Sequence, residues 1–562
     1  MIKVRHYESK EYVLPLQVNQ IQIKFEILCG DVESVSIVYW KRFNEKNSQQ
    51  LILENYAFDE KSPYYDVLIS LEENLRYLKY YFVIKTNNNS YYYSKSGLSE
   101  TIPNRPFEYQ YLNSLDCHLV PDWVKGRIGY HIFPDRFFRN KNDNDYLADW
   151  NELPDREKVY GGTLSGIKEK LPYLKEIGIS LLILMPIFKA TSNHKYDTVD
   201  YYEIDPNYGS KADLIALVEA AHQLDINVVL DGVFNHIGFY SPIFQDVIKN
   251  QKESKYFDWF IIEGKELDID RFNYLAVGDY KWMPKLNYQS ESLREYIIDV
   301  AKYWIDIAKI DGWRLDVFDE IPEEFRIEFS QALKKHQPEV FLISETWNDG
   351  FEYLKNNQVH SIMNYLYRDA ILDFFIYEQI DVQCFTKKIE WLMFRYPSVL
   401  QQLLYNLLGS HDTPRIMTLA NNDIQKVINA YTFLLTTPGL PVIYYGDELG
   451  MEGEGDPDCR RTFNWSQLGS EFHLMITGLL KMRNASLALK TGIMKHVQLK
   501  TGVYSYLRIH DNEAVLILYN TLNEEVVIDL SEKTDFKQYL PEVIRLKSKN
   551  YQIINLRLKP LI

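Results

Sequence analysis

The sequence predicts a multidomain protein with a central (β/α)8 barrel between an N-terminal and a C-terminal β-sandwich. The chain has 562 residues, which is too long for one compact core. Apolar strands alternate with amphipathic helices between residues 122 and 484, whereas short strands follow one another on either side. We therefore place the N-terminal domain at residues 1–121, the barrel at 122–484 and the C-terminal domain at 485–562.

The N-terminal region is composed of short β-type segments separated by turn formers. Segments 21–28, 35–40 and 80–84 are rich in β-branched and aromatic residues, and no helical period of similar length appears beside them. No convergent set of titratable residues is found there, so we expect an accessory or interface role. The C-terminal region has the same texture at 514–520 and 525–530, which is typical of a second sandwich.

The central strands are apolar along their whole length, which is typical of parallel strands covered by helices on both faces. Seven such strands are predicted at 127–133, 179–185, 226–231, 312–317, 340–344, 404–408 and 441–445. Helices are predicted between them at 167–178, 214–224, 293–307, 325–335 and 424–435. About eight strand–helix repeats favour a closed barrel over an open sheet. Residues 238–286, rich in Tyr, Phe, Lys and Asp, indicate an inserted subdomain after the third strand.

Composition restricts the partners and the compartment. The formal net charge of −16 disfavours a nucleic acid or an anionic membrane as partner, because both require a basic surface. The first residues lack the apolar segment of a signal peptide, and no run approaches the length of a membrane span. The four cysteines are far apart and lack metal-ligand spacing. These features predict a cytoplasmic protein with reduced thiols.

Arg314 and Asp316 end the segment 312–317 and point the same way, because side chains two apart in a strand share a face. Alone, such a pair is more typical of a structural ion pair. Other predicted strands, however, also end in polar residues, namely Asp231, Asn235, His236, Glu345, His411 and Asp412. The active site of a (β/α)8 barrel lies at these strand ends. The joint pattern therefore predicts a catalytic site.

Three carboxylates, Asp316, Glu345 and Asp412, are expected to converge with a guanidinium and two imidazoles. A metal site is an alternative, but Arg314 would repel a cation. Glycoside hydrolysis needs one ionised carboxylate and one protonated acid. We expect Arg314 to keep Asp316 ionised for the first role. Burial and neighbouring negative charges are expected to raise the pKa of Glu345 for the second.

The motifs that contain these residues resemble a known family. Segments 231–236 (DGVFNH), 312–316 (GWRLD), 343–347 (ISETW) and 408–412 (LGSHD) resemble, in order, the four conserved regions of the α-amylase family, glycoside hydrolase family 13. A narrower resemblance, to the neopullulanase, cyclomaltodextrinase and maltogenic amylase group, rests on 133–137 (FPDRF), 194–198 (HKYDT), 204–206 (IDP), 283–287 (MPKLN) and 456–460 (DPDCR).

The resemblance implies a role for each matching residue. Asp316 would be the nucleophile, Glu345 the general acid and base, and Asp412 the transition-state stabiliser. The mechanism would be retaining, with the carboxyl groups of Asp316 and Glu345 about 5–5.5 Å apart. The other implied sugar contacts are Tyr196, His236, Arg314 and His411 at the cleavage site, Trp347 at the neighbouring site, and Asp456 and Arg460 at more distant hydroxyls.

Some positions depart from the family pattern. Asp319 and Asn348 stand where other residues are common, which could change the selectivity for acceptor sugars. A loop that resembles the group's calcium loop contains the candidate ligands Asn140, Asn142, Asn144 and Asp145. Thr163 stands where a ligand Asp is usual, and the loss of a charged oxygen ligand lowers calcium affinity. A polar loop closed by Asn and Asp side chains is the alternative.

These observations predict a hydrolase of α-1,4-linked glucans, such as cyclodextrins, pullulan or maltodextrins, with α-1,6 cleavage and transglycosylation as further activities. The chemistry requires no cofactor; a structural calcium is expected only if the loop binds it. The resemblance implies a homodimer formed through the N-terminal domain. A glucan transferase or isomerase on the same scaffold is one alternative. A non-catalytic carbohydrate-binding protein is another, disfavoured because all three acids are present.

Overall fold

The computed structural model describes residues 2–57, 62–111, 117, 120–140, 147–530 and 543–557. The N-terminal domain consists of two antiparallel sheets, in which β1, β2, β3, β6 and β7 form one and β4, β5 and β8 to β11 form the other. Its strands are β1 Lys3–Arg5, β2 Val13–Gln17, β3 Gln20–Cys29, β4 Ser34–Lys41, β5 Gln49–Ile52, β6 Glu54–Asn55, β7 Tyr64–Ser70, β8 Arg76–Lys85, β9 Ser90–Ser94, β10 Gly97–Ser99 and β11 Phe107–Tyr111. Alternate residues of β3, such as Ile21, Ile23 and Phe25, are buried between the sheets.

The barrel consists of eight parallel strands in the order β19-β18-β17-β16-β13-β12-β21-β20. The strands of this region are β12 Gly129–Ile132, β13 Leu181–Leu184, β14 Phe188–Ala190, β15 Thr198–Ile204, β16 Asn227–Gly232, β17 Gly312–Leu315, β18 Phe341–Ser344, β19 Ser361–Ile362, β20 Tyr405–Asn406 and β21 Leu440–Tyr444. A parallel bridge between Met363 and Tyr405 closes the ring next to β19 and β20. β14 and β15 form a separate antiparallel hairpin.

The sixth barrel strand, β19, is not among the seven strands predicted from the sequence. It has two residues, too few to show any periodicity. Its place is fixed by its neighbours, because the Asn364 N–H donates a hydrogen bond to the Tyr405 carbonyl at 2.9 Å. The predicted barrel with two flanking β-domains is confirmed.

Helices cover the barrel, and their ends follow local capping rules. α2 begins after Thr163, whose hydroxyl accepts from the Gly166 N–H, and ends at Gly178, which adopts φ 99°. Ser210 and Asp213 form a capping box at the start of α3. The helices are α1 Pro134–Phe137, α2 Leu164–Ile177, α3 Lys211–Gln223, α4 Pro242–Asn250, α5 Glu291–Ala308, α6 Glu323–His336, α7 Phe351–Leu354, α8 Tyr365–Ile371, α9 Val382–Arg395, α10 Ser398–Gln401, α11 Ile416–Leu419, α12 Ile424–Thr436, α13 Glu471–Ala485 and α14 Leu487–Thr491.

The segment after β16 forms the predicted inserted subdomain. It contains α4 and short irregular turns, joined by isolated antiparallel bridges such as His236 to Lys285 and Ile262 to Tyr274. Phe244 and Phe260 pack edge to face with ring centroids 4.7 Å apart and give it a small apolar core. This core fixes the path of the chain beside the strand ends of the barrel.

The C-terminal domain contains a four-stranded and a two-stranded antiparallel sheet. Its strands are β22 Ile493–His496, β23 Val503–His510, β24 Glu513–Asn520, β25 Val526–Asp529, β26 Val543–Leu546 and β27 Tyr551–Arg557. Leu516 and Leu518 of the larger sheet and Ile528 and Ile544 of the smaller one share a buried cluster. None of the described helices has the length and apolar composition of a membrane span.

Candidate active site

Arg314 is fully buried at the end of β17 and contacts carboxylates from three neighbouring strand ends. One terminal nitrogen lies 2.9 and 3.0 Å from the two oxygens of Asp231 and 2.9 Å from Asp316 Oδ1. The other terminal nitrogen lies 3.0 Å from Glu345 Oε2. Asp231 is the register partner of Arg314, because β16 and β17 pair in parallel. The barrel thus brings three acids onto one guanidinium.

One guanidinium cannot neutralise three carboxylates, so the cluster favours retention of a proton. Burial, together with the adjacent Glu345, raises the pKa of Asp316 well above its ordinary value despite Arg314. Burial also raises the pKa of Asp231 to about 6. Arg314 lowers the pKa of Asp316, as expected, but burial and Glu345 outweigh its effect. The reason is that Arg314 is shared with Asp231 and Glu345, a fact that the Arg-x-Asp spacing does not reveal.

The backbone after Asp316 holds Glu345. Val317 adopts φ 45° and ψ 41°, a left-handed conformation that a β-branched residue rarely takes. Its N–H donates to Glu345 Oε2 at 3.0 Å. Glu345 is thus held by both Arg314 and the peptide N–H of Val317. Backbone strain next to reactive groups is a recurrent feature of active sites.

His411, Asp412, Asp456 and Arg460 form a second cluster. Asp412 Oδ2 lies 2.9 Å from His411 Nε2, and Asp412 Oδ1 lies 3.3 Å from an Arg460 nitrogen. Arg460 also contacts Asp456 at 2.8 Å and donates to the His411 carbonyl at 2.9 Å. Burial raises the pKa of Asp412, but His411 and Arg460 outweigh burial and lower it below its ordinary value. Asp412 is therefore an ionised acid.

Tyr196 connects the two clusters. Its hydroxyl lies 2.7 Å from His411 Nε2 and donates to Asp231 Oδ2 at 3.1 Å. Its ring lies nearly parallel to that of His411, at 15°. His236 Nε2 lies 3.0 Å from the Tyr196 carbonyl, and burial lowers the pKa of His236 to about 4, so this imidazole is neutral near pH 7.

Trp347 follows Glu345 and is 44% exposed. Its inner face stacks on Tyr365 with centroids 4.1 Å apart and planes 8° apart. The Tyr365 hydroxyl lies 3.1 Å from Ser410 Oγ, next to the second cluster. Trp347 therefore presents one supported aromatic face to solvent. With it, all ten predicted catalytic and sugar-binding residues lie in one connected network.

Several residues of this network have no predicted role. Asp231 shares Arg314, and Tyr365 supports Trp347. His131, at the end of β12, is buried and packs edge to face on His411 with centroids 5.3 Å apart. Asp231 and His131 are polar residues at the ends of β16 and β12, so their position in the strand is the signal that identifies them. No local signal identifies Tyr365, which lies in a helix.

The predicted calcium loop is only partly described. Asn142, Asn144 and Asp145 lie outside the described residues. Asn140 Oδ1 accepts from the Thr163 hydroxyl at 3.0 Å, and its amide donates to Ser165 at 3.1 Å. No group of three or more His, Cys, Asp or Glu within the described ranges is placed to hold a metal ion. Asn140 therefore fits the alternative of a loop closed by side-chain hydrogen bonds, and calcium binding stays a prediction.

Comparison with models of known protein families identifies the family of each domain. The alpha amylase catalytic domain matches residues 131–470, more than half of the chain. The chain belongs to the α-amylase family. Its alpha amylase N-terminal ig-like domain matches residues 1–113, and its cyclo-malto-dextrinase C-terminal domain matches residues 494–547. The predicted family is confirmed, and the protein is a glycosidase of that family.

Similar proteins within the family are cyclomaltodextrinases, a neopullulanase and a maltogenic amylase. A cyclomaltodextrinase of Thermoanaerobacter pseudethanolicus is 35% identical over 95% of each chain. Neopullulanase 2 of Thermoactinomyces vulgaris is 33% identical over 93% of this chain and 91% of its own. An intracellular maltogenic amylase of Bacillus subtilis is 31% identical over 90% and 87%. A solved cyclomaltodextrinase structure matches with a TM-score of 0.90 and 30% identity over 98% of this chain and 99% of its own.

Proposed function

We propose that this α-amylase family protein cleaves α-1,4-glucosidic bonds of cyclodextrins, pullulan and short maltodextrins by a retaining double displacement. The observation that supports this proposal is the placement of Asp316 and Glu345 on the two terminal nitrogens of one buried guanidinium. A retaining glycosidase needs two close carboxyl groups that differ in protonation. A shared cation, together with an excess of negative charge, favours one proton on such a pair.

In the first step an Asp316 oxygen attacks the anomeric carbon of the bound sugar. The bond between that carbon and the glycosidic oxygen breaks, and its electron pair goes to the oxygen. In this step Glu345 acts as the general acid and transfers a proton to the departing oxygen. The product of this step is a covalent ester between Asp316 and the sugar.

In the second step Glu345, now a carboxylate, takes a proton from a water molecule. The water oxygen attacks the same carbon and releases the carboxylate of Asp316. The Val317 N–H and Arg314 keep Glu345 in place for both transfers. Inverting twice at one carbon retains its configuration.

The second cluster binds and stabilises the sugar. Asp412 is ionised, so it can accept sugar hydroxyls and offset positive charge that develops on the ring. The flat ring of Tyr196 lies beside that position. The exposed face of Trp347 suits the sugar that leaves or enters. Arg460 orients Asp412 and Asp456, because its donors already contact both acids.

Transfer to a sugar is the second candidate activity, since a hydroxyl can replace water in the second step. The exposed face of Trp347 on the acceptor side favours it. Hydrolysis and transfer are distinguished by the products formed from maltotriose. Products longer than maltotriose indicate transfer, whereas glucose and maltose alone indicate hydrolysis.

One set of assays tests the proposal. Initial rates are measured on β-cyclodextrin, pullulan, maltotriose and starch, with and without a calcium chelator. We expect cyclodextrin, pullulan or maltotriose to be cleaved faster than starch, with the α-configuration of new reducing ends visible by NMR. Starch as the best substrate, or β-configured products, would refute it. Loss of activity with the chelator would support the predicted calcium.

We also propose a homodimer formed through the N-terminal domain, and a cytoplasmic location. The dimer rests on the resemblance of this domain to those of the group. The location is supported by the name of the Bacillus subtilis relative, an intracellular maltogenic amylase. Light scattering of the whole chain and of a chain that begins at residue 122 compares the oligomeric states; a dimer in both would place the interface elsewhere.

A further inference from the structure

A two-stranded ribbon leads from the active site to the inserted subdomain. Residues 235–239 run antiparallel to residues 282–286. The Leu286 N–H donates to the Asn235 carbonyl at 3.1 Å, and the Phe239 N–H donates to the Trp282 carbonyl at 2.9 Å. One end of the ribbon holds His236, which contacts Tyr196. The other end holds Phe239 and Trp282, and Tyr240 is the residue after Phe239.

Tyr240 and Trp282 form an exposed aromatic pair. Tyr240 is 54% exposed and Trp282 is 46% exposed. Their planes differ by 16°, with centroids 6.0 Å apart. Phe239 packs edge to face against both rings, at 5.3 Å from each, and rests in turn on the buried Phe244. The two rings are thus held by a supporting layer and still face solvent.

The position of this pair fits an extension of the catalytic cleft. Three to four residues of extended chain separate His236 from the rings, which is about 10–13 Å along the ribbon. A glucan of a few sugar units spans such a distance. Large exposed aromatic rings that are held in place by packing beneath them indicate a binding surface.

The chemistry of the pair fits a sugar. Aromatic faces pack against the apolar faces of sugar rings, and neither Tyr240 nor Trp282 adds a charge. The Lys281 ammonium lies 4.9 Å from the centre of the Trp282 ring and can donate to a hydroxyl. The net charge of −16 disfavours an anionic polymer on this surface.

We propose that Tyr240 and Trp282 form a platform that stacks on a glucose unit of α-glucans long enough to reach it from the cleavage site. The inference rests on the proposed function, because the glucan must be held in the cleft by the active-site residues. Cleavage requires at least one unit beyond the broken bond, so maltotriose extends at most two units toward the platform, whereas maltoheptaose extends up to six. We therefore expect only the longer sugar to reach the platform. The platform therefore sets a preference for longer chains.

The test compares maltotriose with maltoheptaose in the double variant Tyr240→Ala/Trp282→Ala. We expect kcat/KM for maltoheptaose to fall about tenfold, mainly through KM, because a stacking contact is lost. We expect kcat/KM for maltotriose to change less than about twofold. The variant Tyr240→Phe/Trp282→Phe keeps the rings and should keep most of the preference. Trp391→Ala, which removes a tryptophan of α9 that is 36% exposed, is the matched control.

Equal effects on the two sugars, or no effect on either, would overturn the platform. Titration of Asp316→Asn with maltoheptaose, with and without the platform substitutions, measures binding without turnover. If the wild type cleaves neither sugar, the proposed function fails, and this titration still decides the platform. Light scattering completes the test. A change from dimer to monomer in the double variant, with an unchanged substrate ratio, would assign the rings to contact with a second copy and overturn the proposal.

Discussion

Arg314 and Arg415 are both fully buried in the barrel domain, and they differ in what surrounds them. Arg415 contacts one carboxylate, Asp447, at 2.7 Å, and its remaining contacts include the Tyr445 and Cys459 carbonyls at 2.9 Å. Arg314 contacts three carboxylates and, within the described part of the chain, no carbonyl. The first arrangement balances one charge with one charge. The second leaves an excess of negative charge.

The two arginine sites also differ in how far solvent reaches their carboxylates. Asp447 is 1% exposed, and its second oxygen accepts from the Tyr431 hydroxyl at 3.0 Å. Asp316 and Glu345 are 5% and 7% exposed and lie beside the partly exposed Asp412 and Trp347. A balanced and enclosed ion pair is costly to break because its loss leaves a buried charge unpaired. An unbalanced cluster that a ligand can reach has perturbed pKa values suited to proton transfer. Burial alone does not separate a structural arginine from a catalytic one.

The largest expected effect is the loss of activity on substitution in the cluster of acids around Arg314. Asp316→Asn should lower kcat on β-cyclodextrin by about 10⁴-fold or more, because the nucleophile is lost. The same change removes one of three competing acids, so the thermal midpoint should stay equal or rise. Steady-state kinetics and thermal unfolding of one preparation check both. A variant that keeps full activity would remove Asp316 from the mechanism; a large loss of stability would make the Arg314 cluster structural.

Substitution in the Arg415–Asp447 pair should have the opposite result, a loss of stability with little loss of activity. Asp447→Asn leaves Arg415 buried without its counter-charge, so the free energy of unfolding should fall by about 3–5 kcal/mol. Urea denaturation followed by tryptophan fluorescence measures the change. The folded fraction should keep kcat within about threefold, since Asp447 does not contact the sugar in the proposed mechanism. An inactive but fully stable Asp447→Asn protein would contradict the comparison.

Glu448, the residue after Asp447, extends the comparison to a buried acid that is held by hydroxyls. Tyr130 and Tyr173 donate to its Oε1 at 2.6 and 2.9 Å, and burial raises its pKa to about 7. A raised carboxyl pKa means that the folded state binds the proton more tightly than the unfolded state. The stability from Glu448 is therefore present below pH 4.5 and is lost as the pH rises to about 7.

The expected loss is about 3 kcal/mol over that range. Glu448→Gln should remove it, because the amide does not ionise. Urea unfolding at pH 5 and pH 8 gives the difference between wild type and variant at each pH. Equal pH dependence in the two proteins would show that Glu448 ionises in the folded protein as it does in the unfolded chain.

The sequence by itself determined the barrel, the flanking β-domains and the residues of the candidate site. Each barrel strand except β19 is an apolar run that ends in polar or turn-forming residues, and such a run is visible in a few consecutive letters. The closure of a parallel barrel then places those ends on one face. The convergence of Asp316, Glu345 and Asp412 was predictable for this reason.

Only the tertiary structure decided how charge is distributed among these residues. Asp231 and Arg314 are 83 positions apart, and their contact depends on the register of β16 and β17. Burial, the approach of Glu345 and the presence of Asp231 raise the pKa of Asp316, and the local Arg-x-Asp spacing reveals none of these causes. The exposed pair Tyr240 and Trp282 likewise depends on a ribbon between distant segments. Local patterns fix which residues reach a strand end, but contacts between distant segments fix their burial, and burial sets their charge.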